Sequence, residues 1–148
     1  MTELTKLLRM VEIFAGLNES QLEKISGIFE NHTLAENEVL FSQGDQANKL
    51  FLVSKGFVEV VRIRERTNET EEKVIVNLGS GQSVGEMALV DSGTRSATIR
   101  AAADHTEVVS VSKEAFQDFC ASNTEIGYQV MRNIAADLSF RLRRNNSN

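Results

Sequence analysis

The sequence predicts an α+β fold, mainly β: an antiparallel β-barrel or sandwich flanked by an N-terminal helical segment and two C-terminal helices. Three observations predict it. Apolar residues recur at three- and four-residue steps only near the chain ends, as Leu4, Leu7, Leu8 and Val11 and again as Ile126, Val130, Ile134, Leu138 and Leu142. Between them, from His32 to Ser112, short β-rich runs alternate with turn residues at regular spacing. Proline is absent, so glycine and asparagine must do the turning.

The 148 residues suit one domain with a real core, divided into a helical segment over 1–30, a β-barrel over 31–112 and C-terminal helices over 113–144. In the helical segment, LNESQL reads as a helix start. Asn18 can cap, Gln21 can reach back to it, and Leu17 and Leu22 flank the cap as a hydrophobic staple. EVLFSQGD reads as a strand entering a turn at Gly44-Asp45, and KLFLVSKGFVEVVRIRE as two strands broken at Lys55-Gly56. RTNETEE is polar and reads as an exposed hairpin loop, KVIVNLGSGQ as a strand running into a Gly/Ser turn, and SATIRAA and TEVVSVS as two more strands. SKEAFQDFC opens a helix with Ser112 as its cap and Ala115, Phe116 and Phe119 as its buried side. The last helix carries the Ile126–Leu142 stripe, with Met131 beside it, and that stripe must be buried against something: the barrel, a second copy of the chain or a bound ligand.

Composition excludes several classes. The 16 basic and 21 acidic residues leave a net charge of −5, against the clustered positive charge that nucleic acid demands. The one basic cluster, Arg141 to Arg144, complements a helix dipole. No apolar run is long enough to span a membrane, and MTELTKLLRM lacks a signal peptide's core. One cysteine, Cys120, cannot form an internal disulfide and reads as a buried structural thiol in a cytoplasmic protein. His32 and His105 lack metal-ligand spacing, and no nucleophile or general base is placed for catalysis, so neither an enzyme nor a metal cofactor is expected. GSGQSVG, from Gly79 to Gly85, has the wrong spacing for a dinucleotide loop and reads as a turn.

VGEMALVDSGTRSA, Val84 to Ala97, is different. It places Glu86 and Arg95, both costly to bury, among small and apolar residues. A plain ion pair on a loop is one reading. An anion site is the other. Gly85 lets the backbone approach a ligand closely. The amides of Glu86, Met87 and Ala88 would lie unpaired at a helix start. Arg95 offers a planar fork suited to phosphate oxygens, Ser96 a hydroxyl donor and Ala97 an accessible amide. A glutamate beside a phosphate makes sense if it accepts a hydrogen bond from a neighbouring sugar hydroxyl.

This stretch resembles the phosphate-binding cassette of the cyclic-nucleotide-binding domain family, Gly-Glu-apolar-Ala-Leu followed by Arg-Ser/Thr/Ala-Ala. Here it is Gly85-Glu86-Met87-Ala88-Leu89 and Arg95-Ser96-Ala97. The likeness is greatest to the ligand-binding half of bacterial catabolite activator proteins. It extends to LFLVSKGFVEV, IFAGLNESQLEKI and MRNIAADLSFRLRR. The resemblance implies a jelly-roll barrel that binds cAMP or cGMP. Glu86 and the Gly85 backbone would hold the ribose 2′-hydroxyl. Arg95, Ser96 and the amides of Ala88 and Ala97 would cradle the phosphate. Val60, Ile75 and Leu78 would form an apolar wall, and Arg141, Leu142 and Arg144 are candidates for a helical lid over the base. Val84 departs from the family's usual phenylalanine. No helix-turn-helix is expected after Arg144, where only NNSN follows, so direct DNA binding is not expected.

Two functions follow. One is a cyclic-nucleotide sensor, cAMP favoured over cGMP, that signals through its C-terminal helix to an effector protein. The other is a scaffold of the same fold whose Ile126–Leu142 stripe makes a homodimer or docks a partner without nucleotide.

Overall fold

The computed structural model describes residues 2–146; Met1, Ser147 and Asn148, the last two belonging to the NNSN end, lie outside the described residues. Within it the chain forms two compact units. One is continuous, residues 29–113, and the other joins residues 2–28 to 114–146.

The continuous unit is the β-domain. Its strands are β1 (Glu30–Leu34), β2 (Val39–Phe41), β3 (Lys49–Lys55), β4 (Val58–Arg66), β5 (Glu69–Leu78), β6 (Ser83–Val84), β7 (Thr98–Ala101) and β8 (Thr106–Ser112). They make two four-stranded antiparallel sheets, ordered β1-β8-β3-β6 and β2-β7-β4-β5. Eight strands in these two orders form a jelly roll. Instead of closing into one ring, the strands split between two facing layers. Both layers feed one core: Leu34, Phe51, Val53 and Val108 from the first, Val58, Ile99 and Ala101 from the second. β3 is buried on both faces from Leu50 to Val53, which is why its sequence runs apolar without alternating.

Three strand pairs carry a register shift, one of them at Ser54 in β3, where Val53 pairs with Val108 and Lys55 with Glu107. In β2, Val39 pairs with Arg100 and Phe41 with Ile99, so Leu40 is the extra residue. Leu40 and Phe41, adjacent in sequence, consequently both pack against the same core cluster. In β5, Val60 pairs with Val76 and Val61 with Val74, leaving Ile75 as the extra residue on a strand at the sheet's edge.

The polar RTNETEE segment is not a long loop. β4 ends at Arg66 and β5 starts at Glu69, with only Thr67 and Asn68 between them. Asn68 takes a positive φ of 72°, which asparagine tolerates and a tight hairpin turn requires. The charges that suggested a loop decorate the ladder instead, with the Arg66 Nε 2.9 Å from Glu71 Oε2. Strand β1, ENHTL, was hidden by its polarity; only Leu34 at its end is fully buried. The GSGQSVG segment opens as a turn over 79–82, closed by the Gly79 amide on Gln82 Oε1 at 2.7 Å and the Gln82 amide on the Gly79 carbonyl at 3.1 Å, and continues as β6.

The helical unit holds α1 (Glu3–Met10), a 3-10 turn (Glu12–Phe14), α2 (Glu19–Ser26), α3 (Lys113–Ser122, whose first residue closes the β-domain) and α4 (Thr124–Asn146). The expected capping box at α2 is present: Gln21 N donates to Asn18 Oδ1 and Asn18 N donates to Gln21 Oε1, each at 2.9 Å. Leu17 and Leu22 on either side are buried. In α3, Phe116 is buried while Ala115 and Phe119 are half-buried. α4 packs on the 3-10 turn, where Asn133 Nδ2 donates to the carbonyls of Ile13 at 2.9 Å and Ala15 at 2.8 Å. Its apolar stripe is buried only in the first half. Ile126, Val130 and Ile134 are covered, Leu138 is half-buried, and Leu142 is 62% exposed. Periodicity fixes which face is apolar, not how far along the helix that face is covered.

Candidate ligand-binding site

The cassette is built on the end of the first sheet. β6 pairs with β3 through Phe51 with Val84 and Leu52 with Ser83. The chain then turns at Gly85, where φ is +84°, and winds into a short 3-10 helix, Glu86–Leu89. Gly85 is needed twice over. Its φ lies in the left-handed region, and a Cβ there would collide with the Arg95 guanidinium and stand 3.4 Å from the Lys49 carbonyl.

The helix is tighter than an α-turn, which changes one expectation. The Ala88 amide donates to the Gly85 carbonyl at 2.9 Å. It closes the first 3-10 turn instead of standing unpaired, because i→i+3 bonding engages an amide that an α-helix would leave open. The loop that follows is held by its neighbours. Gln46 Nε2 donates to the Ser92 carbonyl at 2.9 Å, the Ala47 amide to the Gly93 carbonyl at 3.0 Å, and Lys113 Nζ to the Asp91 carbonyl at 2.9 Å. The Arg95 amide donates to the Asp45 carbonyl and the Gly44 amide to the Arg95 carbonyl, each at 2.8 Å. The Gly44-Asp45 turn therefore fixes the Arg95 backbone from across the site.

Arg95 is only 8% exposed. Its Nη2 donates to the Lys49 carbonyl at 2.7 Å, and its Nε is buried with no hydrogen-bond partner among the described residues. Its guanidinium lies 4.0 Å over the Phe41 ring and 5.7 Å from the Phe51 ring centroid. Burial pushes its pKa below the ordinary arginine value, and the Asp45 carboxylate partly opposes that shift. Arg95 makes no ion pair among the described residues, so the plain loop ion pair is not what this arginine is for. Glu86 is buried at 9% exposure, and Ser83 Oγ approaches its Oε2 at 3.5 Å.

A cavity of about 330 Å³ opens over this arginine. Gly85, Met87, Ala88, Arg95, Ser96, Ala97 and Val60 all line it, so seven of the ten residues singled out in the sequence meet at one cavity. Glu86 sits between lining neighbours without itself lining the cavity. The apolar wall is placed differently from expectation. Ile75 and Leu78 do not line this cavity. Ile75, the bulge residue, lies over a separate surface depression with Arg62, Arg64, Glu71 and Lys73, while Leu78 packs against the jelly-roll core. Phe41, Ala47, Val84 and Ile99 supply the apolar lining instead, and Asp91, Gly93 and Thr94 complete the rim. Of these, Val84, Asp91, Gly93 and Thr94 lie inside the quoted cassette. Phe41, Ala47 and Ile99 arrive from β2, the segment before β3, and β7, and no local pattern announces them. The lid candidates Arg141, Leu142 and Arg144 stand on the last turns of α4, all exposed, with Arg141 Nη2 on Asp137 Oδ2 at 2.9 Å.

Among the described residues no group of three or more His, Cys, Asp or Glu side chains could hold a metal ion, and His32 Nε2 is instead 2.8 Å from Ser110 Oγ. No described helix is long and apolar enough to cross a membrane. Cys120 is half-buried, and burial raises its thiol pKa.

The β-domain is thus a jelly roll with a buried glycine-arginine cradle at one turn. The chain belongs to the cyclic nucleotide-binding domain family, whose profile matches residues 31–123. Over 115 residues it is 31% identical to a cAMP-dependent protein kinase regulatory subunit of Mycosarcoma maydis, a match covering 75% of this chain and 21% of that protein. Over 128 residues it is 32% identical to a Drosophila melanogaster cGMP-dependent protein kinase, isozyme 2 forms cD5/T2, covering 86% of this chain and 14% of that one. The chain thus spans about a fifth or less of these two curated relatives. Among solved structures, the N-terminal domain of a transcriptional regulator from Streptomyces coelicolor A3(2) superposes with a TM-score of 0.81 at 26% identity, covering 95% of this chain and 93% of that one. The Thermus thermophilus catabolite activator protein superposes with a TM-score of 0.75 at 30% identity, covering 91% of this chain and 60% of that one.

Proposed function

We propose that this domain binds a 3′,5′-cyclic nucleotide in the cavity over Arg95 and acts as a regulatory sensor. One observation carries the reading. Among the described residues Arg95 is a buried cation with one backbone carbonyl as its only hydrogen-bond acceptor, an orphan Nε and no carboxylate at ion-pair distance, Asp45 acting on it only from further away. A buried charge in that state wants a counter-ion, and a cyclic phosphate brings one negative charge and two free oxygens. Glu86 accepts the ribose 2′-hydroxyl, and Ser96 and the Ala97 amide add donors to the phosphate. Phe41, Val60, Val84 and Ile99 supply the apolar lining. The cavity is at the small end of ligand pockets, which suits a mononucleotide.

Between the two ligands we favour cAMP. The likeness to the catabolite activator protein supports it, while kinase relatives named for cAMP and for cGMP match at nearly equal identity. Ser96 lines the cavity and is where a guanine edge would be read. If it is read there, Ser96→Ala weakens cGMP more than cAMP; equal losses remove that role. The output is movement of the C-terminal helix, read by an effector protein.

Titration calorimetry with cAMP and with cGMP, beside Arg95→Ala, tests the proposal. Micromolar or tighter binding that the variant loses supports it. No heat and no thermal shift with either nucleotide refutes it.

A second reading has its own observation. Leu142, at the end of the Ile126–Leu142 stripe on α4, is 62% exposed. A dimerisation or docking scaffold would use that face without nucleotide. Sedimentation that shows the same association state with and without cAMP, together with no binding, favours it.

A further inference from the structure

The geometry points to Phe41 as a positioning residue that holds the Arg95 guanidinium by its face and leaves its edge to the ligand; the consequence for affinity rests on the nucleotide-binding reading above. A guanidinium has two kinds of surface. Its five N–H donors lie in the plane, and its two faces carry positive charge with no donor. A carboxylate partner would stabilise a buried arginine through the in-plane donors and would compete with phosphate for them. An aromatic partner stabilises it through the face and competes for nothing.

Arg95 has the second kind of partner. Its Cζ lies 4.0 Å from the Phe41 centroid, and the Phe51 ring stands beside the pair, 5.6 Å from Phe41 and 5.7 Å from the arginine. One in-plane nitrogen, Nη2, is anchored on the Lys49 carbonyl. Nε has no partner, and Nη1 faces Gly85, the residue that has no side chain to block it. Phe41 itself lines the cavity. Its direction is set by the Leu40 bulge, which puts two consecutive side chains on the inner face of β2. The ring, the anchor and the glycine together define one orientation of the fork.

Nuclear magnetic resonance on arginine-labelled protein tests this without ligand. The Arg95 Nε–H signal, assigned by its loss in Arg95→Lys, is expected upfield of the other arginines, because it sits over a ring, and slow to exchange. Phe41→Met keeps an apolar side chain of similar volume without a ring. It is expected to move that signal to the range of exposed arginines and to speed its exchange about tenfold or more. Phe41→Tyr keeps the ring and is expected to keep the signal. In titrations, Phe41→Met is expected to weaken cAMP by about ten- to thirty-fold and Phe41→Tyr by less than about threefold, and the loss in Phe41→Met is expected to be markedly smaller for adenosine, which touches the apolar lining but has no phosphate. An Arg95 signal unchanged in Phe41→Met, or lost in Phe41→Tyr, overturns the assignment, as does an equal loss for cAMP and adenosine. A wild type that binds no nucleotide but shows the expected Arg95 signals refutes the nucleotide reading alone and leaves the hold of Phe41 on Arg95 standing.

Discussion

Gly85 and Arg95 occupy each other's space: the hydrogen that glycine has for a side chain is what lets the arginine's Nη1 lie against the turn. The contact joins two residues ten positions apart on opposite sides of the cassette loop. Backbone conformation and ligand chemistry therefore meet at one point.

Gly85→Ala should be damaging in two separable ways. A non-glycine residue at φ +84° costs about 1–3 kcal/mol, and the new methyl must displace the guanidinium. The expected result is a lower Tm by thermal melting and a weaker cAMP affinity by calorimetry. Stability lost with affinity intact would mean that Arg95 adapts.

Arg95→Met should separate stability from function. The arginine is buried, and burial alone disfavours its charge. An apolar chain of similar length removes that penalty and still fills the space over Phe41. The ligand-free Tm is expected to stay level or rise, and the ligand-induced Tm shift is expected to vanish. A marked fall in the ligand-free Tm would show that the stack on Phe41 outweighs the desolvation.

Gly127→Ala tests the contact of α3 with α4. A Cβ at Gly127 would lie 2.7 Å from Cys120 Cβ, 3.0 Å from its Sγ and 3.2 Å from its Cα. Overpacking of this kind costs about 1–3 kcal/mol. Denaturant melts should show that loss. Cys120→Ala, which removes only the Sγ, should recover a part of it in the double variant, a non-additivity expected of residues in contact.

Cys120 also carries a pH prediction. Burial raises its pKa, so the folded state favours the neutral thiol. As pH rises through the ordinary cysteine range, about 8.5, the unfolded chain loses its proton first, and the native state loses relative stability from there upward. Alkylation by iodoacetamide at pH 8 is expected to be slower on the native protein than on the urea-unfolded chain. Equal rates would show that Cys120 is open to solvent and unshifted.

Legibility in the sequence followed the range of the interaction. The α2 capping box spans three residues and was readable from Asn18 and Gln21 alone. The cassette was readable because its residues lie within fourteen positions and fold onto one cavity. Phe41 and Ile99 were not readable as lining residues, since a strand's neighbours across a sheet depend on register. The Ile75 bulge shows the same limit: one extra residue in β5 is enough to place a side chain over another depression. Polarity misled at RTNETEE because edge and hairpin strands carry charge, and ENHTL was missed for a similar reason. The α4 stripe is legible as a face from its four-residue steps, whereas what covers its second half, where Leu142 is exposed, is not set by the helix's own sequence.

The same bulge bears on how this domain behaves in a crowded solution. β5 ends its sheet, and Val74, Ile75 and Val76 are all largely exposed on it. Three such residues on an open edge invite pairing with a second chain, the first step toward aggregation. The irregular ladder at Ile75 denies an incoming strand a flat template. Glu69, Glu71, Glu72 and Lys73 surround the entry to that run with charge. The irregularity that leaves Ile75 over a separate depression thus also keeps the edge from becoming a seed.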